Sequence, residues 1–206
     1  MKFCKSNNHS PVKEFLNALP PKDAQKVAWV LKLAEESGWI PAQYFFQEDE
    51  DVDLWEIRIT VEIKNYWMLA FRHQDEWIVC NADFSTKTHK AFQKEKDEVR
   101  EQARNYKAPF HLLSGNHLDK YIKKRKRENE VFKEGFDEGY LLFKVGAILR
   151  QTRQTAGLTQ AEIAEKLDMS SSLISRIENH AEDLDIDTLQ NYVKNWTKKL
   201  KTVLTP

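Results

Sequence analysis

The sequence predicts an α+β chain: a helical hairpin on an antiparallel sheet, followed by an all-α domain of short helices. Three observations carry that prediction. Apolar residues recur at helical spacing from Ala24 to Ala34, alternate with period two over Leu54 to Thr60, and return to helical spacing beyond 143. With 206 residues, six Trp and eleven Phe, there is enough apolar mass for two small cores.

Lys2 to Lys5 reads as a short strand and Pro11 to Leu19 as a short helix, which Pro20-Pro21 ends. Pro21 suits the first turn of a second helix, where Ala24, Val27, Ala28, Leu31 and Ala34 make one buried stripe and Gly38 closes the end. Leu54 to Thr60 alternates, with Trp55, Ile57 and Ile59 on one face and Glu56, Arg58 and Thr60 on the other. Tyr66 to Arg72 and Glu76 to Phe84 are two further strands, joined through His73-Gln74-Asp75. The short connections predict an antiparallel meander with one face on the helices and one facing water. A helix from about Thr88 to Tyr106 buries Phe92, Val99, Ala103 and Tyr106, and its other faces carry Lys90, Lys94, Lys96, Arg100 and Arg104.

Residues 107–118, with Pro109 and Ser114-Gly115, read as a linker. The charged stretch after it carries Tyr121, Ile122, Phe132, Phe136, Tyr140 and Phe143 as spaced anchors, on a helix broken near Gly135 and Gly139. Exposed aromatics of this kind are costly unless they dock on a surface. Leu184 to Leu200 then gives a last helix, and LKTVLTP a terminal strand.

From Phe143 to Asn179 the signals agree in register. A helix breaks at Gly157, and Thr159 with Glu162 forms the T-x-x-E capping box of a short helix whose apolar face is Ile163, Ala164 and Leu167. Asp168-Met169 is the turn, Asp being tolerant of the left-handed conformation. Ser170 caps the next helix, which has Ile174 and Ile177 on its apolar edge. Two short helices so spaced are a helix-turn-helix, whose second helix lies in the DNA major groove. Gln160 is placed for a phosphate contact, while Ser171, Ser172 and Arg176 lie on the exposed face that reaches base edges. Arg176 suits a bidentate contact with guanine or a pairing with a nearby acid, and Ser175 suits a backbone contact or plain packing. Short serines give modest direct readout, so specificity leans on dimer spacing and DNA shape. A two-fold homodimer would read half-sites roughly 34 Å apart.

Formal net charge is zero, so nucleic-acid binding has to rest on local patches. Residues 1–107 hold 16 basic and 18 acidic side chains, and 118–134 hold seven basic and four acidic. No run approaches the roughly 18 apolar residues of a membrane span, and the start MKFCKSNNHS lacks a signal peptide's apolar stretch. Cys4 and Cys80 have no metal spacing and are too few for a disulfide framework. A reducing cytoplasm is the expected location, with no metal, no cofactor and no membrane partner.

The segments EGFDEGYLLFKVGAILRQTRQTAGLTQAEIAEKL and SLISRIENHAEDLDIDTLQNYVK resemble HigA-type antitoxins, over about residues 118–203. DLWEIRI at 53–59, the strand pair after it, and FSTKTHKAF at 84–92 with its charged helix are similar to RelE/HigB-type toxins, notably the branch related to phage-derived proteins. Genes of the two kinds lie side by side, so one chain with both halves resembles a fused toxin–antitoxin pair. The resemblance implies a RelE/HigB-like domain over 1–108, a linker and toxin-wrapping helical segment over 109–142, and a HigA-like helix-turn-helix domain over 143–206. It implies an mRNA endonuclease, often acting on the ribosome, silenced within or between chains by an antitoxin that also represses its own operon. On this reading the basic cluster of the segment 120–143 pairs with the acidic stretch Glu48 to Asp53.

Metal-independent cleavage beside a ribose needs activation of the 2′-hydroxyl, stabilisation of an anionic phosphorane and protonation of the leaving oxygen. The resemblance gives Arg58 the place of the family's strand arginine, and Lys87 and Lys90 the places of two lysines in its K-K-T-x-K-T-P signature. His89, between them, is a chemically suitable acid–base group. Thr86 replaces the first signature lysine, Phe92 the closing proline, Ala82-Asp83 a histidine-glycine, and Trp67 a further strand arginine. Two other readings stay open: a transcriptional regulator whose toxin-like domain lost catalysis and serves dimerisation or sensing, and an artificial joining of separate proteins.

Overall fold

The computed structural model describes residues 1–4, 10–37, 41–74, 76–84, 89–106, 116–185, 187–190 and 192–194, with backbone only at 83, 84 and 89–92. The chain divides into two compact units, Met1–Glu134 and Gly135–Pro206.

In the first unit, β1 (Lys2–Phe3) leads into α1 (Pro11–Ala18) and α2 (Pro21–Glu36), each opened by a proline at its first turn. The meander follows as β2 (Phe45–Asp49), β3 (Leu54–Val61), β4 (Lys64–His73) and β5 (Glu76–Phe84), then α3 (His89–Arg104), α4 (His117–Glu128) and α5 (Glu130–Lys133). The sheet order is β1-β5-β4-β3-β2, antiparallel except that β1 lies parallel on β5. β2 is absent from the sequence reading, because FFQED shows no clean alternation and ends in acids.

Both sheet faces are covered, which corrects the expectation that one faces water. Ile57 and Ile59 pair with Met68 and Tyr66 on one face, where Phe15 of α1 meets Tyr66 edge-on at 5.9 Å. On the other face Val99 of α3, with Ala103 and Tyr106, packs against Leu54, Leu69, Phe71, Ile78 and Cys80. α3 therefore has fewer free faces than its charges suggest. Lys96 is buried, and Lys96 and Arg100 are the partners of Glu48 and Asp49 at 2.7 and 2.6 Å. These ion pairs correct the expected pairing of Glu48 to Asp53 with the basic cluster beyond residue 120.

α2 likewise departs from a one-stripe helix: Asp23 through Leu31, then Leu33 and Ala34, are all buried. The cause is α4 and α5, which lie on the hairpin's outer side. Tyr121 donates its hydroxyl to Leu16 O at 2.9 Å, and Arg125 donates to Asn17 O and Leu19 O at 3.2 and 3.1 Å, satisfying carbonyls at the end of α1. The Gln25 amide, buried in α2, donates to Phe132 O at 2.6 Å and Glu134 O at 2.9 Å. Leu118, Tyr121, Ile122 and Phe132 are buried with it. Gly38, the side chain of Phe92 and most of the linker fall outside the described residues.

In the second unit, Gly135 at φ 66 opens α6 (Phe136–Thr155), which runs unbroken through Gly139 and residue 143. α7 (Gln160–Leu167), α8 (Ser171–Asn179) and a 3-10 turn at Ala181–Asp183 follow, and 187–190 and 192–194 are helical. The terminal strand LKTVLTP lies outside the described residues. The core joins Leu149, Ile163, Ala164, Leu167, Ile174, Ile177, Ala181, Leu189 and Tyr192. α6 crosses α8 at Gly146, where a Cβ would stand 2.4 Å from Ile177 O and 2.9 Å from Ala181 Cβ. Glycine is required there by close approach. Among the described residues no helix is long and apolar enough to cross a membrane.

Candidate functional site

Local chemistry sets the α7–α8 pair. Thr159 Oγ1 accepts from Glu162 N–H while Glu162 Oε2 accepts from Thr159 N–H at 2.7 Å, so both halves of the capping box are made. Those contacts from Thr159 hold the Glu162 carboxyl below the usual carboxylate range. Asp168 takes the left-handed conformation, φ 55 and ψ 48, and turns the chain. Ser170 Oγ then accepts from Leu173 N–H at 3.1 Å and starts α8.

Ser171, Ser172 and Arg176 lie exposed along α8, and Ser175 is half-buried. Arg176 makes no ion pair among the described residues, so its guanidinium is available to an outside acceptor. Ser175 is turned to its own helix: Asn179 Nδ2 donates to Ser175 O at 2.8 Å and to its Oγ at 3.3 Å. Gln160 is also engaged, donating from Nε2 to Glu178 Oε2 at 2.9 Å, which leaves its amide oxygen to meet other donors.

Glu178 is the residue that sequence reasoning missed. It is buried, and Arg153 grips it bidentately, Nε to Oε1 at 2.6 Å and Nη2 to Oε2 at 2.8 Å. Arg153 also donates to Leu158 O at 2.6 Å, and Arg150 reaches Asn179 Oδ1 at 2.6 Å. The two arginines of α6 thus fix the far end of α8, and Gln160 ties α7 to the same carboxylate. A signal was present: Ile174, Ile177 and Glu178 stand at i, i+3 and i+4 on the apolar edge, where an unpaired charge would be costly.

The candidate nuclease residues are less fully described. Arg58 is exposed on β3, with its Nε and Nη2 on Glu56 Oε1 and Oε2 at 2.6 and 3.1 Å and its guanidinium 4.4 Å from the Phe46 ring centroid. Glu56 is fully buried although it shares Arg58's face, and Lys96 stands 3.1 Å from its Oε2. Burial works against its ionisation, but hydrogen bonds, that of Arg58 foremost, outweigh it and hold the carboxyl below its ordinary range. Lys87 lies outside the described residues. His89 and Lys90 open α3, with backbone alone described. The described geometry therefore gives one cationic group of the four, already hydrogen-bonded to a carboxylate.

For a metal, His180, Glu182 and Asp183 bring ligand-type atoms within 4.8 Å of one another, on a largely exposed turn.

A helix-turn-helix domain family model matches residues 144–184. No curated protein and no solved structure matches the chain. The match spans α7 and α8 and much of α6, so the chain carries a C-terminal helix-turn-helix domain, an architecture that binds DNA.

Proposed function

We propose that the chain is a fused toxin–antitoxin protein, in which a RelE/HigB-like mRNA endonuclease unit is silenced by an attached HigA-like segment and the helix-turn-helix domain represses transcription at operator DNA. The observation that carries this reading is the packing of 117–134. This stretch lies beyond α3, leads straight into the DNA-binding unit, and yet seals the α1–α2 hairpin through Tyr121, Arg125 and Phe132. An antitoxin segment docked on its toxin has that character. The helical hairpin on an antiparallel meander, closed by a charged helix, is also the layout expected of the toxin half.

A second reading is favoured by Arg58. Its bidentate pair with buried Glu56 consumes donors that a phosphorane would need, which suits a regulator whose toxin-like unit no longer cleaves RNA.

One experiment separates them. The intact chain, a Tyr121→Ala/Phe132→Ala variant, and that variant with Arg58→Ala are expressed, with growth arrest and RNA cleavage as readouts and circular dichroism as the folding check. Arrest confined to the loosened variant with Arg58 intact supports the fusion. A folded, loosened and harmless chain leaves the regulator reading. Substitution is preferable to truncation at residue 108, which would strip Leu118, Tyr121, Ile122 and Phe132 from the unit's core.

A further inference from the structure

The chain has two cysteines, 76 positions apart, and they meet: Cys4 Sγ and Cys80 Sγ are 2.7 Å from each other, both as free thiols. Topology brings them together. β1 lies parallel on β5 with Lys2 opposite Ile78 and Phe3 opposite Val79, so the register carries Cys4 to Cys80. Cys4 N–H donates to Val79 O at 2.8 Å, which extends the pairing to that position. Neighbouring strands run about 4.8 Å apart, within the Cα separation that a disulfide spans. The sulfurs can therefore bond with little backbone movement.

The two thiols are not equivalent. Cys80 is 5% exposed, inside the cluster with Leu54, Leu69, Phe71 and Val99, whereas Cys4 is half-buried beside it. The hydrogen bond with Cys80 draws the Cys4 thiol below its ordinary range. The same hydrogen bond, and then burial, push Cys80 well above it. A less buried sulfur of greater thiolate character beside a buried second thiol is the arrangement of an attacking and a resolving cysteine.

We propose that Cys4 and Cys80 form a thiol-oxidation site that takes a hydroperoxide as oxidant and closes an intramolecular disulfide. The Cys4 thiol gives up its proton and the thiolate attacks the terminal peroxide oxygen. The O–O bond breaks, the departing hydroxide (an alkoxide, from an organic peroxide) takes that proton and leaves as water or an alcohol, and Cys4 becomes a sulfenic acid. Cys80 then attacks the Cys4 sulfur, the S–O bond breaks, and the departing hydroxyl takes the Cys80 proton as water. Two thiols give up two electrons and two protons, and hydrogen peroxide ends as two waters. The new bond fastens β1 to β5, and β1 holds the first turn of α4. His117 N–H donates to Met1 O at 3.0 Å, and Phe3 N–H donates to His117 Nδ1 at 3.0 Å.

The test is intact-mass spectrometry of the full chain after treatment with hydrogen peroxide. The expected product is a monomer lighter by about 2 Da, restored by dithiothreitol. Cys80→Ser should stop at Cys4 sulfenic acid, about 16 Da heavier and trapped by dimedone, while Cys4→Ser stays at its starting mass. In the native reduced protein Cys4 should alkylate at least about tenfold faster than Cys80. An unchanged mass, interchain dimers, or only the heavier over-oxidised thiols in the wild-type chain would overturn the proposal. That wild-type result stands however the serine variants fold.

Discussion

Arg153 and Glu178 form a buried bidentate ion pair that spans 25 positions and locks α6 to the last turn of α8, at 2.6 and 2.8 Å. Arg153 is 7% and Glu178 2% exposed, so removal of either charge strands the other in the interior. Glu178→Ala is expected to cost about 3–5 kcal/mol of stability by denaturant unfolding. Arg153→Met with Glu178→Leu should recover most of it. A double variant no better than the single one would show that the pair's place in the wider network matters more than its charges.

Gly146 marks the closest approach of α6 to α8. In Gly146→Ala the new methyl would meet Ile177 O, a backbone atom of α8 itself, at 2.4 Å. The helices must separate, at a cost of roughly 1–3 kcal/mol. Thermal unfolding reports the loss, and a parallel drop in DNA affinity would show that the displacement reaches the exposed serines.

Arg176 is exposed and unpaired among the described residues, so Arg176→Ala should weaken DNA binding by about tenfold or more and relax base preference at one position. Ser171→Ala and Ser172→Ala should have smaller effects. Mobility shifts on the DNA upstream of the chain's own gene, repeated across salt concentrations, separate base contacts from phosphate contacts. Equal loss on unrelated DNA would assign Arg176 to the backbone instead.

Glu56 contributes a pH-dependent part of the first unit's stability. Its folded carboxyl ionises below the unfolded value, so its stabilising effect is full above the unfolded pKa and fades as pH falls through the folded one. Glu56→Gln should therefore be less stable than the parent at pH 7, with the gap closing below about pH 4. A gap that persists at low pH would mean that packing around Glu56, rather than its charge, is responsible.

Gln25 tests the seal formed by α4 and α5. Gln25→Ala removes the donor that serves Phe132 O and Glu134 O, and should cost about 1–3 kcal/mol. Hydrogen exchange ought to quicken first across 117–134. Uniform acceleration through the unit would place the amide in the general core instead.

Legibility followed sequence range. The capping box at Thr159 and Glu162, the left-handed Asp168 and the Ser170 cap are decided within a few residues, and each stands as read. The alternation of Leu54 to Thr60 placed β3 for the same reason, and the polar turn after β4 divided it from β5. What stayed hidden depends on partners far along the chain. Glu56 reads as a solvent-facing acid until α3 brings Lys96 over it, 40 positions later. Gln25 reads as an ordinary polar helix residue until Phe132 arrives, 107 positions on. In the candidate nuclease site only Arg58 has a described side chain, and its carboxylate partner could have been suspected from the shared strand face.

The parallel pairing of β1 also governs the order in which the protein can be completed on the ribosome. The first strand has no neighbour until β5 emerges, and Phe3 waits a further interval for His117, 114 positions downstream. At roughly 5–20 residues per second, nascent β1 lacks these partners for several seconds to some tens of seconds. The α+β unit is finished only once Phe132 has left the exit tunnel, a few residues before α6 begins. A ribosome that stalls before that point leaves the α1–α2 hairpin without the packing of Tyr121 and Phe132, open to proteases and chaperones.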